Sequence, residues 1–163
     1  SLGVKYFVRR YERVTLFSLL TTLSNGVFSS ILSCTNIQVD VVKGYRLPKT
    51  VSKNTLIITT SVSGNTAETI TILENAINKK MNIIAFSSGG KMIELCKKNN
   101  ITHKIIPQKL NPRASLIVYL YSMLKVLNKI IPITEKEIEL SIKQLKESKK
   151  IFIQKILLQT IYH

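Results

Sequence analysis

The 163-residue sequence has two cysteines, two histidines and nine acidic residues against 24 basic ones. Each scarcity narrows the field. Cys34 and Cys96 stand alone, without the paired spacing of a zinc site or a redox motif, so a reduced cytoplasmic setting is expected. His103 and His163 add too few ligands to those cysteines for a metal set, and no Ser-His-Asp arrangement can be assembled. His103, in a strand with no polar motif around it, is expected to be structural. No apolar run reaches membrane-spanning length, so no membrane partner is expected. Arg9, Arg10 and Arg13 ahead of Val14 to Leu23 loosely imitate a secretion signal, but a clear small-residue cleavage site is missing and a buried strand accounts for the run equally well. No Walker A lysine and no G-x-G-x-x-G is present. Internal repeats and low-complexity segments are absent too.

The acid deficit leaves a net charge of +15. Such a charge suits nucleic acid, an anionic membrane surface or small anionic substrates. The lysines are dispersed, with no arginine-rich or aromatic-interleaved block, and abundant Lys, Asn and Ile also fit an A/T-rich gene. Small anions are therefore favoured, and no nucleic-acid partner is expected.

What the sequence does have is 45% hydrophobic residues in alternating strand and helix patterns, enough for one domain with a proper core. Apolar runs predict strands over Val14 to Leu20, Gln38 to Val42, Thr55 to Thr60, Asn82 to Phe86 and Thr102 to Ile106. Helical spacing predicts a short helix over Val27 to Leu32, then helices over Thr66 to Lys79 and Lys91 to Asn99. A further helix opens at Asn111-Pro112, and another runs from a Thr134-to-Glu137 capping box to at least Lys149. The expected fold is α/β: a three-layer sandwich around a five-stranded, mainly parallel sheet with right-handed crossovers. Residues 1–132 are expected to form the main domain and 133–163 a C-terminal helical segment. Ile153, Ile156, Leu157 and Ile161 make that segment too apolar for a free tail, so it calls for a partner surface.

One stretch carries the chemistry. Thr55 to Thr60 runs into Ser61-Val62-Ser63-Gly64-Asn65-Thr66, which in turn opens a helix. Strand, polar turn and helix bring unpaired first-turn N–H groups and the positive end of a helix dipole to one point, and that point favours an anion such as phosphate. Ser61, Ser63 and Thr66 would add hydroxyl donors. Serine and threonine before a helix are also ordinary caps, and on the local pattern the two readings weigh equally. A second serine-glycine turn, Ser87 to Gly90, follows the next strand, and both turns should face one crevice beyond the strand ends. Arg113 sits in the first turn of its helix, against the dipole. A solvated arginine explains it, and so does a guanidinium placed to stabilise charge on a ligand.

Ser61 to Thr66 resembles the S-x-S-G-x-T motif of the sugar isomerase (SIS) fold, which is flavodoxin-like. Tyr45-Arg46-Leu47-Pro48, Ser87 to Gly90 and Pro112-Arg113-Ala114 narrow the resemblance to the N-terminal half of the bifunctional phosphoglucose/phosphomannose isomerase family, with motifs in order up to about Leu127. The resemblance implies a cytoplasmic enzyme of carbohydrate metabolism. Without a cofactor, it interconverts glucose 6-phosphate or mannose 6-phosphate with the ketose through a cis-enediolate. It implies that Ser61, Ser63 and Thr66 bind the phosphate and that Arg113 is catalytic, stabilising the enediolate. The family's glutamate base, ring-opening histidine and lysine come from a second SIS half, which this chain is expected to lack. The first residue is Ser1, which fits a fragment; the missing half, or a second copy in a homo-oligomer, is the expected partner. The family's glycine-rich turn after the first strand also departs here: in Thr21 to Gly26 only Gly26 survives, and Leu23 and Ser24 would crowd a close backbone approach. The alternative functions are a non-catalytic SIS sensor that binds a sugar phosphate and regulates a partner, and a basic module that docks through its last helix.

Overall fold

In the computed structural model the described residues are 13–18, 37–107, 112–128, 130 and 133–161. The chain divides into two compact units, Ser1–Pro132 and Ile133–His163. The first contains strands β1 (Arg13–Ser18), β2 (Gln38–Val42), β3 (Thr55–Ser61), β4 (Asn82–Ser87) and β5 (Thr102–Ile105). Between and after them run helices α1 (Ala67–Asn78), α2 (Gly90–Lys98) and α3 (Pro112–Val126). The expectations at Thr21 to Gly26 and Val27 to Leu32 lie outside the described residues.

The strands form a sheet in the order β2-β1-β3-β4-β5, and each neighbouring pair is parallel. An α/β class with a parallel sheet is therefore what the chain adopts. Its order reverses between β1 and β3: β2 is added on one side of β1, and every later strand on the other. Such a switch point opens a crevice beyond the carboxyl ends of the two strands. Arg13 of β1 pairs with both Gln38 and Thr55, so the strand begins one residue earlier than its apolar run.

β3 is buried from Thr55 to Ser61, as a strand covered on both faces must be. On one face Ile57, Ile83 and Ala85 join Ile72, Leu73 and Ala76 of α1 with Met92 and Cys96 of α2. Leu56, Ile58, Ile84 and Phe86, on the other pleat, are equally shielded. Burial pushes the Cys96 thiol up to about 11. Among the described residues of α3, Tyr119, Met123 and Leu124 are buried, and Leu127 just after the helix is buried too.

Helices α1 and α2 end alike. Lys80 and Asn100 take positive φ, 52° and 54°. Lys80 N–H bonds to the Ile77 carbonyl and Met81 N–H to that of Ala76; Asn100 and Ile101 repeat the pair with Lys97 and Cys96. These are Schellman closures, and their following residues, Met81 and Ile101, pack back on the core. His103 is held locally, its Nδ1 bonding to the Ile101 carbonyl at 2.8 Å.

The second unit is one helix, α4 (Glu135–Ile161). Its capping box forms as its sequence requires. Thr134 N–H and Oγ1 both donate to Glu137 Oε2 at 2.7 Å, and Glu137 N–H returns a 3.3 Å bond to Thr134 Oγ1. Those donors hold the Glu137 carboxyl below its usual range, the backbone N–H more than the hydroxyl.

Candidate functional site

The turn Val62 to Thr66 leaves β3 at the switch point, where the last rung pairs Ser61 with Ser87 of β4. Its shape is set by one buried hydroxyl. Ser61 Oγ accepts the Gly64 N–H at 3.0 Å and lies 2.9 Å from Thr66 Oγ1. Gly64 has φ +73°, and a Cβ there would lie 1.8 Å from the Gly89 carbonyl oxygen. Only glycine fits that position. Ser63 is exposed at the rim, its Oγ accepting the Asn65 N–H at 3.2 Å.

Thr66 is the N-cap of α1, yet its side chain makes no capping bond to that helix. Its hydroxyl is turned to Ser61 instead. First-turn N–H groups have no partner within their own helix, and here the cap residue leaves them uncovered. When Ser61 donates to Thr66, the Thr66 proton is released for an outside acceptor. The hydroxyls of Ser61, Ser63 and Thr66 thus stand in one turn that leads into an α1 N-terminus without a side-chain cap. Glu68, in the first turn, puts a negative charge beside it. Tyr45, from the loop after β2, hydrogen-bonds that carboxylate; the negative charge of Glu68, with some desolvation, raises the Tyr45 phenol. Leu47, two residues on, packs against the core, so the Tyr45-to-Pro48 segment is tied down at both ends.

The Ser87-to-Gly90 turn lies against the first, as the sheet geometry requires, but its groups are otherwise engaged. Ser88 N–H and Oγ both bond to the Val62 carbonyl. Ser87 Oγ donates to Gly89 O at 3.0 Å. At the N-terminus of α2, Lys91 N–H bonds to Asn65 Oδ1 and Met92 N–H to Gly64 O, each at 3.0 Å. The two turns thus share a boundary, and only α1 among these two helices keeps its N-terminus uncapped.

Tyr119 of α3 completes the support. Its hydroxyl donates to the Ser61 carbonyl at 3.2 Å, and burial raises it to about 12, so it remains a neutral donor. Sequence reasoning missed this residue, because nothing local marks a tyrosine hydroxyl that reaches a carbonyl 58 residues away. Arg113 is the second residue of α3, and its side chain lies outside the described residues. Among the described residues, no group of three or more His, Cys, Asp or Glu could hold a metal ion, and no helix is long and apolar enough to cross a membrane.

No protein-family model matches the chain. Individual relatives do. The bifunctional phosphoglucose/phosphomannose isomerase of Caldicellulosiruptor bescii is 41% identical over 86 residues, which is 53% of this chain and 25% of that protein. The protein of the same name from Aquifex aeolicus is 34% identical over 115 residues, 71% of this chain and 35% of that one. The match thus spans about a quarter to a third of these relatives. Among solved structures, the Vibrio vulnificus NanR protein complexed with ManNAc-6P superposes with a TM-score of 0.59 over 86% of this chain and 56% of its own, at 13% identity. Tagatose-6-phosphate ketose/aldose isomerase from Escherichia coli gives 0.56 over 72% and 36%, at 15% identity. The chain is a relative of the bifunctional phosphoglucose/phosphomannose isomerases, built on the phosphosugar isomerase (SIS) fold.

Proposed function

We propose that this chain binds the phosphate of a hexose 6-phosphate at the turn Ser61 to Thr66, as one part of a cytoplasmic aldose–ketose isomerase acting on glucose 6-phosphate and mannose 6-phosphate. The observation that carries this reading is the N-terminus of α1, which has no side-chain cap and follows the turn that holds the hydroxyls of Ser61, Ser63 and Thr66 at the switch point of the sheet. In this reading Ser61 and Thr66 form a preset relay, Ser63 contributes a hydroxyl from the rim, and backbone N–H groups of α1 take the remaining phosphate oxygens. Arg113, at the start of α3, stabilises the negative charge that develops on the enediolate as a proton moves between the first two sugar carbons.

The proton itself needs a base, and none is assigned among Ser1 to His163. In this reading the base belongs to a second SIS half or a second copy of the chain. General-base transfer typically contributes about 10²–10⁴-fold to rate. The chain alone therefore binds its ligand and turns it over at no useful rate. Titration calorimetry with glucose 6-phosphate tests the binding. Weak binding that is lost in Ser63→Ala is expected, and equal affinity in the variant would move the site elsewhere. Fructose 6-phosphate formation by the purified 163-residue chain, abolished by Arg113→Ala, would show that the chain carries its own base.

A further inference from the structure

The N-terminus of α2 is the second place where this fold could hold an anion, and the chain has closed it with its own atoms. Both acceptors come from the first turn: the Asn65 carboxamide oxygen on Lys91 N–H and the Gly64 carbonyl on Met92 N–H, each at 3.0 Å. The fit is close from the other side as well. Gly90 has φ +69°, and a Cβ there would stand 2.6 Å from Ser63 O and 2.7 Å from Asn65 Oδ1. Asn65 is exposed, so its carboxamide would find water at no cost if it were free. It spends its oxygen on a helix that begins 25 residues later, while its own neighbour Thr66 leaves α1 without a side-chain cap.

We infer that Asn65 is a positioning residue: by capping α2 in place of α1, it fastens the Ser61-to-Thr66 turn to the neighbouring turn, steers an incoming phosphate to the N-terminus of α1 alone, and holds Ser63 and Gly64 in register for it. The inference rests on the reading of that turn as the phosphate site. Its physical content is that a loop ordered before the ligand arrives loses less entropy on binding than a free one. The Ser88 bonds to Val62 anchor the start of the turn, and Asn65 anchors its end.

The experiment has two arms. In the first, amide hydrogen exchange is followed by NMR on the ligand-free chain. Asn65→Ala should raise exchange at Lys91 and Gly64 by about tenfold, while the β3 amides of Ile57 and Ile58 stay unchanged. Asn65→Asp, which retains an acceptor of the same reach, should restore protection at Lys91. Unchanged exchange at Lys91 and Gly64, or equal acceleration throughout β3, overturns the inference whatever the ligand does. In the second arm, calorimetry is run well below the unfolding temperature with glucose 6-phosphate. Asn65→Ala should weaken binding by about tenfold in a fully folded protein, and undiminished affinity overturns the inference. If the wild-type chain binds no glucose 6-phosphate, the proposed function fails and the steering role with it. The exchange arm then still decides whether Asn65 fastens the turn.

Discussion

The hydroxyl of Tyr119 donates to the carbonyl of Ser61 across 58 residues of chain, at 3.2 Å and out of reach of water. One bond thereby joins the helix that begins at Pro112-Arg113 to the strand end that supplies the first hydroxyl of the candidate site. Tyr119→Phe leaves that buried carbonyl without this donor and should cost roughly 1–3 kcal/mol. Urea unfolding of the variant checks it, and a change within error would mean that the bond contributes nothing.

The same phenol makes the fold sensitive to alkali. Its ionisation lies at about 12 in the folded chain against an ordinary value of 10.0, so the fold prefers the neutral form. That preference is fully present below pH 10 and disappears as pH rises through 12. The Cys96 thiol acts in the same direction from pH 9 to about 11. Stability should therefore decline from about pH 9 upward, and Cys96→Ala should flatten the early part of the decline. Unfolding midpoints measured between pH 8 and 11 in both proteins provide the check.

Gly64→Ala should be among the most damaging single changes in the molecule. A methyl group at that position meets the Gly89 carbonyl at 1.8 Å, with the backbone already at φ +73°. Strained positive-φ positions alone cost about 1–3 kcal/mol, and the clash adds to it. The melting temperature should fall by several degrees or more, with loss of sugar-phosphate binding. A variant as stable as the parent would show that the two turns do not approach as described.

Thr59 offers the opposite outcome. Its hydroxyl is buried in the middle of β3 with no hydrogen-bond partner among the described residues. Thr59→Val keeps the branched shape and removes the unpaired oxygen, which should raise stability by about 1 kcal/mol. A loss instead would point to an ordered water on that hydroxyl.

At the other end of the chain, Glu137 ties pH to the start of α4. Its carboxyl is held below the usual range by Thr134, so its contribution is present above the ordinary carboxylate pKa and lost as pH falls through the lowered one. Helicity followed by circular dichroism should decline over that acidic range, and Glu137→Gln should reduce the decline. An identical pH profile in the variant would remove Glu137 from the cap.

Most elements were legible in the sequence because period and punctuation agree locally. Gln38 to Val42 was bounded correctly, and α1, α2 and the capping box of α4 began within a residue of expectation. What escaped had its cause elsewhere in the chain. β1 starts at Arg13 because Gln38 and Thr55 both offer a pairing partner there. Asn65 was read only as a residue of the polar turn, whereas its acceptor serves α2, and no local pattern tells which N–H an exposed carboxamide will reach. Tyr119 was not singled out, because its role rests on a hydroxyl that reaches Ser61 from 58 residues away. The Ser87-to-Gly90 turn was expected to lie beside the first turn, but no local pattern told that its hydroxyls would bind Gly89 O and the Val62 carbonyl.

Those long-range closures also set an order of events during folding. Thr55 to Ser61 can pair with its neighbours as soon as they emerge, but the turn that follows cannot take its final shape until residues 87 to 92 have arrived to grip it. Its last anchor waits for Tyr119. Contacts of such separation carry the loop-closure cost and form late. A chain still emerging from the ribosome, complete through β3 and α1, would already have the strand and the helix while the turn between them still lacked its final shape.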